Sequence, residues 1–330
     1  MDLIANFIEK ARKNPARIVY PEGADARIVA AAARVKAMGI AEPIVLGEPN
    51  AVAKLAADGN VAMDGVRVIS PAAPAFVTRY AADYARSRGV KEGIARKLVT
   101  KSLVFGGMMV KAGDADGMVG GVANETALMI QAAALTVGFQ AGLSTPSSFF
   151  IMILPEYAGE KDKVFVFADC AVNIAPDAKQ LAEIGVASGR NARTLLGLEP
   201  KIAFLSFSTK GSASHADADK VIEAARLARQ IDPSLTIDGE LQGDSAIVPR
   251  VAQKKVKESP VAGHANVLIF PDLDAGNICY KLVQYMSGAK AIGPILQGFA
   301  KPINDMSRGA TVDDLVAVTA VTVGQARNEA

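Results

Sequence analysis

Ser307, Arg308 and Asp314, within Lys301-Pro302-Ile303-Asn304-Asp305-Met306-Ser307-Arg308-Gly309-Ala310-Thr311-Val312-Asp313-Asp314, set a hydroxyl, a guanidinium and a carboxylate around one turn that opens a helix. Those are the parts of an acyl- or phosphoryl-transfer site. Arg308 is a planar, permanently charged fork suited to phosphate oxygens, and Gly309 can take a backbone conformation that a Cβ would forbid. The helix that follows, read as Asp313 to Ala326, offers its N-terminal N–H groups and positive dipole end to the same anion. A structural pattern overlaps the chemical one: Thr311-Val312-Asp313-Asp314 also reads as a capping box, with the acidic residue reaching back to the N–H of Thr311. Pattern alone does not make Asp314 catalytic.

Other loops offer weaker chemistry. Gly120-Gly121-Val122-Ala123-Asn124-Glu125-Thr126 joins a strand to a helix, so its N–H groups either cradle an anion or close an ordinary tight turn. Ser208-Thr209-Lys210-Gly211-Ser212 combines hydroxyls, a cation and a glycine, for phosphate contact or for loop solvation. Asp238, Glu240 and Asp244 sit in one loop but lack a histidine partner, so they read as a solvated turn with helix caps rather than a metal site. Asn277, Tyr280 and Lys281 share one helical face at i, i+3 and i+4, either lining a cleft or stabilising a helix start.

The elements that must position these groups alternate along 330 residues, half of them hydrophobic, with no Trp. Strand-like runs fall at Arg17–Tyr20, Pro43–Leu46, Val66–Ile69, Gly117–Gly120, Phe149–Leu154, Val164–Ala168, Ile202–Phe207, Leu235–Asp238 and Asn266–Phe270. Helical patterns lie between most of them, at Ala24–Met38, Ala75–Ser87, Ala178–Leu196, Ala216–Gln230 and Asn277–Ser287. That order predicts a parallel α/β architecture in two domains, with ligands at the carboxyl ends of the strands. A domain boundary is expected in the polar loop Gln140–Ser148. The net charge of +2 excludes global attraction to nucleic acid or membrane, so any anion site is local. Cys170 and Cys279 suit a reducing compartment and read as small core residues, and His215 and His264 lack metal-ligand spacing, so no metal is expected. The first 13 residues read as an amphipathic helix rather than a signal peptide, and no apolar run is long enough to span a membrane; a cytoplasmic location is expected.

The signature Lys301–Gly309 resembles that of the phosphate acetyltransferases, within the wider phosphate acetyl/butyryltransferase family. Four further blocks agree in order: Phe167-Ala168-Asp169-Cys170 with Pro176; Leu205–Ala213; Ile237–Gln242 with Ala246–Pro249; and Ser259–Gly263 running to Gly276–Lys281. The resemblance is dense from about Val164 onward and thinner before it. It implies two α/β domains like those of the isocitrate/isopropylmalate dehydrogenase fold, 1–143 plus 296–330 and 144–295, with the active site in the interdomain cleft. It further implies a homodimer, reversible transfer of acetyl between CoA and phosphate by direct thiolate attack in a ternary complex, CoA as substrate with no bound cofactor, and an acetate kinase working alongside. Asp314 is then the base for the thiol, Arg308 the phosphate ligand and Ser307 a hydrogen-bond donor. Substrate contacts carry over to Thr126, Arg27, Asn277, Tyr280 and Lys281, with Arg86, or alternatively Arg88, for a further family arginine. Two positions depart from the family: Glu125 stands where members have a hydroxyl, and Gln131 where they have an arginine that grips phosphate. The alternatives are therefore a butyryl or other acyl phosphate, or a non-catalytic acyl-CoA-binding regulatory module; a dehydrogenase lacks its G-x-G-x-x-G motif here.

Overall fold

Val- and Ile-rich runs pair into two sheets in the computed structural model, which describes residues 3–327. In chain order the elements are α1 (Leu3–Lys13), β1 (Ala16–Tyr20), α2 (Ala26–Ala37), β2 (Ala41–Leu46), α3 (Pro49–Asp58), β3 (Arg67–Ile69), α4 (Pro74–Arg88), α5 (Glu92–Val99), α6 (Ser102–Ala112), β4 (Gly117–Gly120) and α7 (Thr126–Thr136). There follow β5 (Ser147–Tyr157), β6 (Glu160–Ala168), α8 (Ala178–Thr194), β7 (Lys201–Leu205), α9 (Ala216–Ile231), β8 (Thr236–Leu241), α10 (Gly243–Ile247), α11 (Pro249–Lys255), β9 (Val267–Ile269), α12 (Leu273–Ser287), β10 (Lys290–Gln297), β11 (Ile303–Asp305) and α13 (Val312–Arg327). Met1 and Asp2 of the expected N-terminal helix lie outside the described residues; the rest of it is α1.

The chain forms two compact α/β units, Met1–Phe139 with Phe299–Ala330, and Gln140–Gly298. In the first, the strand order is β11-β4-β1-β2-β3, and every pairing is parallel. Its central strands are buried on both faces: Ile18, Val19, Tyr20, Ile44 and Val45 are fully enclosed, as an Ala- and Val-rich parallel sheet under helices requires. Tyr20 shares a 2.8 Å hydrogen bond with Thr319 of α13, which ties that last helix to the sheet. The chain leaves β1 toward β2 and β3, then returns past β1 to β4, so the winding direction reverses between β1 and β4. Ligands of open α/β sheets collect outside the carboxyl ends of strands at such a reversal.

The second unit has strand order β10-β5-β6-β9-β7-β8. This sheet is mixed: β5 runs antiparallel to both β6 and β10, while β6, β9, β7 and β8 are parallel. Ala158 and Gly159, both at positive φ, close the β5–β6 hairpin. The run Phe149–Ile153 is buried throughout, so it shows none of the polar alternation by which a half-exposed antiparallel strand is recognised. Among the described residues, no helix is long and apolar enough to cross a membrane.

Candidate active site

At the carboxyl ends of β1, β4 and β11, three loops of the first unit are bound to one another by buried polar side chains. Glu22, just after β1, is 7% exposed, and its carboxylate accepts hydrogen bonds from the N–H groups of Gly121, Val122 and Ala123 at 2.8, 3.0 and 3.0 Å and from the Asn124 amide at 2.7 Å. The loop after β4 does form an anion cradle, but an internal carboxylate fills it. Its N–H groups are thus committed to Glu22 rather than offered to a free phosphate. The fold needs glycine at position 121: φ is +98°, and a Cβ would lie 2.0 Å from the Asp305 carboxylate.

Arg27, on the first turn of α2, spends all five of its N–H donors inside the protein. Its Nε and one terminal nitrogen form a fork on the Asp25 carboxylate at 3.0 and 2.7 Å. The remaining contacts reach the backbone carbonyls of Arg308, Ala310 and Val122 at 2.7, 3.0 and 3.0 Å. Arg27 thereby joins the loop after β4 to the turn after β11. Arg308 is therefore fixed through its carbonyl, while its exposed guanidinium makes no hydrogen bond or ion pair among the described residues.

Ser307, Arg308 and Asp314 stand together around the entrance to α13, all three exposed. Gly309 does not use that freedom: its φ lies outside the left-handed region, and a Cβ there would meet only Ser307 Oγ, at 3.7 Å. Ser307 Oγ accepts from the Gly309 N–H at 3.2 Å, which leaves its own hydrogen to donate outward. The capping box is present: Asp314 accepts from the N–H and hydroxyl of Thr311 at 2.9 and 2.7 Å, and donates its N–H to Thr311 Oγ1 at 3.2 Å. Both bonds to the carboxylate fall on Oδ2, so Oδ1 remains for a proton from outside. The structural and chemical patterns thus coexist in one side chain.

Thr126, the first residue of α7, donates its hydroxyl to Asp305 Oδ2 at 2.5 Å. Asp305 is 2% exposed, its Oδ1 has no hydrogen-bond partner among the described residues, and burial, with the nearby Glu22 charge, pushes its pKa up to about 6. Glu125 caps α7 without a side-chain hydrogen bond and is exposed, as is Gln131 one and a half turns further on. Gln131 lines a pocket of about 690 Å³ at the β1/β4 reversal. Its walls include Leu46, Leu98, Leu103, Leu128 and Leu135, with Lys101 and Ser102 at the start of α6.

Neither candidate for the further arginine reaches that pocket. Arg86 is exposed and pairs with Asp83 at 3.5 Å. Arg88 instead donates to the carbonyls of Ala134 and Leu135 near the C-terminus of α7. Sequence reasoning passed over Glu22, over Asp305, although it lies inside the stretch Lys301–Asp314, and over Lys101, whose neighbours carry no motif. The signal for the two acids was available in principle: Glu22 lies two residues past β1 and Asp305 ends β11, and at the end of a buried strand a carboxylate must find donors.

In the second unit, Asn277, Tyr280 and Lys281 do share a face of α12. Asn277 donates to the Cys170 carbonyl at 3.0 Å, and Tyr280 stacks on Phe150 at 4.2 Å, so both pack the helix onto the sheet. The Lys281 ammonium lies 5.8 Å over the Tyr280 ring and is exposed. The loop Ser208–Ser212 is neither an open phosphate site nor merely solvated: Glu240 accepts from Ser208 Oγ and the Gly211 N–H at 2.9 and 2.7 Å, and Lys210 pairs with Asp238. Asp238 and Glu240 are 4% and 2% exposed, which corrects the expectation of a solvated turn; they hold the loop by charge-assisted bonds, Asp238 also facing Arg229 at 3.2 Å. Asp169 likewise collects the N–H groups of Ala171, Val172 and Asn173. Burial pushes the thiols of Cys170 and Cys279 up, which keeps both protonated near neutral pH.

Residues 2–323 match the family described as phosphate acetyl/butaryl transferase. The phosphate acetyltransferase of Thermoanaerobacterium thermosaccharolyticum is 46% identical over 330 residues, covering 99% of this chain and 100% of its own. That of Acetivibrio thermocellus is 42% identical, covering 99% of each. A phosphotransacetylase structure from Streptococcus pyogenes superposes with a TM-score of 0.92 at 41% identity, covering 98% of each chain.

Proposed function

Because the chain belongs to the phosphate acetyl/butaryl transferase family, we propose that it is an enzyme catalysing acetyl-CoA + phosphate ⇌ acetyl phosphate + CoA at the turn that opens α13. The observation that carries this reading is that turn itself: an Arg308 guanidinium and one Asp314 carboxylate oxygen without partners among the described residues, and a Ser307 hydroxyl free to donate outward, all at a helix N-terminus. In the direction that consumes acetyl phosphate, the CoA sulfur bonds to the acetyl carbonyl carbon, the carbon–oxygen bond to phosphate breaks, and the thiol proton passes to Asp314. Arg308 holds the phosphate oxygens, and Ser307 donates to the thiolate or to the developing carbonyl oxyanion. An ordinary aspartate and an ordinary thiol are mismatched by roughly 6 kcal/mol in proton affinity. The Arg308 charge lowers the thiol, which narrows that gap. A kinase that uses acetyl phosphate is the natural neighbour in the cytoplasm.

One observation favours a longer acyl group. Glu125 and Gln131 replace a hydroxyl and an arginine of the family pattern, and the adjacent pocket is walled by leucines. Thioester absorbance with CoA and either acetyl or butyryl phosphate decides between them: the expected result is a higher kcat/KM with acetyl phosphate. A preference for butyryl phosphate assigns the pocket to the acyl chain, and no thioester from either donor overturns the reading.

The enzyme acts as a homodimer on this proposal. Ile278, Leu282, Tyr285 and Met286 form an exposed apolar stripe on α12, at 56, 53, 83 and 81% exposure. A two-fold contact of that stripe with its copy removes it from water. Leu282→Asp combined with Tyr285→Asp is expected to give a monomer in sedimentation velocity; an unchanged dimer would place the interface elsewhere.

A further inference from the structure

We propose that Asp305 is a positioning residue whose proton decides whether Thr126 can donate its hydroxyl hydrogen to an anion in the active site. The inference rests on the reading of Thr126 as an acyl-phosphate contact, which the family resemblance supplies. A carboxylate only accepts, so while Asp305 is ionised the hydroxyl hydrogen of Thr126 points at Oδ2, 2.5 Å away. Thr126 then turns lone pairs toward any neighbouring phosphate, which repel it. When one proton from solvent binds Oδ2, the direction of that hydrogen bond reverses. Asp305 becomes the donor, Thr126 Oγ1 the acceptor, and the threonine hydrogen is released to a phosphate oxygen.

The geometry makes this reversal accessible. Asp305 is 2% exposed, and its Oδ1 has no hydrogen-bond partner among the described residues, so the ionised form buries one carboxylate oxygen without a hydrogen bond of good geometry. The Met306 N–H binds the Gly120 carbonyl at 2.7 Å and also faces the Asp305 carboxylate; with the Thr126 hydroxyl it favours the ionised form, and burial outweighs both. From the loop after β4, Gly121 presents only its Cα hydrogens, and from α7 comes the Thr126 hydroxyl. Glu22, on the loop after β1, is the charged group facing Asp305 among the described residues, and it opposes ionisation further. These surroundings push Asp305 up to about 6, within reach of mildly acidic conditions.

The test compares KM for acetyl phosphate in the unaltered enzyme and in Asp305→Asn, whose amide donates to Thr126 at every pH. The expected ratio of the two rises about tenfold between about pH 5 and pH 8, the worth of one hydrogen bond to a charged group. A ratio that stays flat while Thr126→Val still raises KM overturns the inference and leaves the Thr126 contact intact. If Thr126→Val leaves KM unchanged, the phosphate contact itself is wrong and the inference falls with it. Should the variants misfold, carbon-13 NMR of the unaltered chain, with the Asp305 carboxyl assigned through the Met306 amide, gives the titration directly. A midpoint near 6 supports the proposal; one in the ordinary aspartate range overturns it.

Discussion

Asp314→Asn is expected to lower kcat by about 10²- to 10⁴-fold, the usual worth of a positioned general base, with little change in KM for CoA. Asparagine keeps the shape of the side chain and one accepting oxygen, so Thr311 retains its partner and α13 its start. What is lost is the capacity to take the thiol proton. The capping box supplies the necessary control, because Thr311→Ala removes the cap and leaves the carboxylate. That change is expected to cost about 1 kcal/mol of stability, read from urea denaturation, and to lower kcat far less than Asp314→Asn. Comparable turnover losses in the two variants would show that the carboxylate acts through helix geometry. Near-normal turnover in Asp314→Asn would remove the residue from the mechanism.

Arg308→Lys is expected to lower kcat by about 10²- to 10³-fold and to raise KM for phosphate by about tenfold. Lysine preserves the charge but not the planar fork, so it meets phosphate as a point charge and cannot follow the developing negative charge with two parallel donors. The loss should be chemical rather than architectural. Arg27 holds the carbonyls of residues 308 and 310 whatever side chain position 308 carries, and the Arg308 guanidinium has no partner to lose within the described structure. Thermal unfolding of Arg308→Lys should accordingly match the unaltered protein while activity falls. A variant that keeps its activity, or that loses stability in step with activity, contradicts the assignment.

Much of the fold is legible without coordinates because burial writes a local pattern. The nine strand-like runs all become strands, and Gly117–Gly120 does so at the residues expected. Two strands escape. The run Lys290–Gln297 contains glycine and proline, and Ile303–Asp305 is only three residues long and hidden within a functional signature. The antiparallel course of β5 escapes as well, since a strand enclosed on both faces carries no record of its neighbours' direction.

At the site, the division is sharper. The sequence by itself determined that Ser307, Arg308 and Asp314 gather at a helix start, because they lie within eight residues and the backbone rules of caps and turns act over that range. Only the tertiary structure decided what fills the cradle after β4 and what Arg27 grips. Glu22 and Gly121 are 99 residues apart, Thr126 and Asp305 are 179 apart, and Arg27 reaches a carbonyl 281 residues away. Such partners become neighbours through the order β11-β4-β1 in the sheet, which brings the three strand ends side by side. A buried carboxylate or guanidinium must then satisfy itself with whatever donors or carbonyls the adjacent loops present.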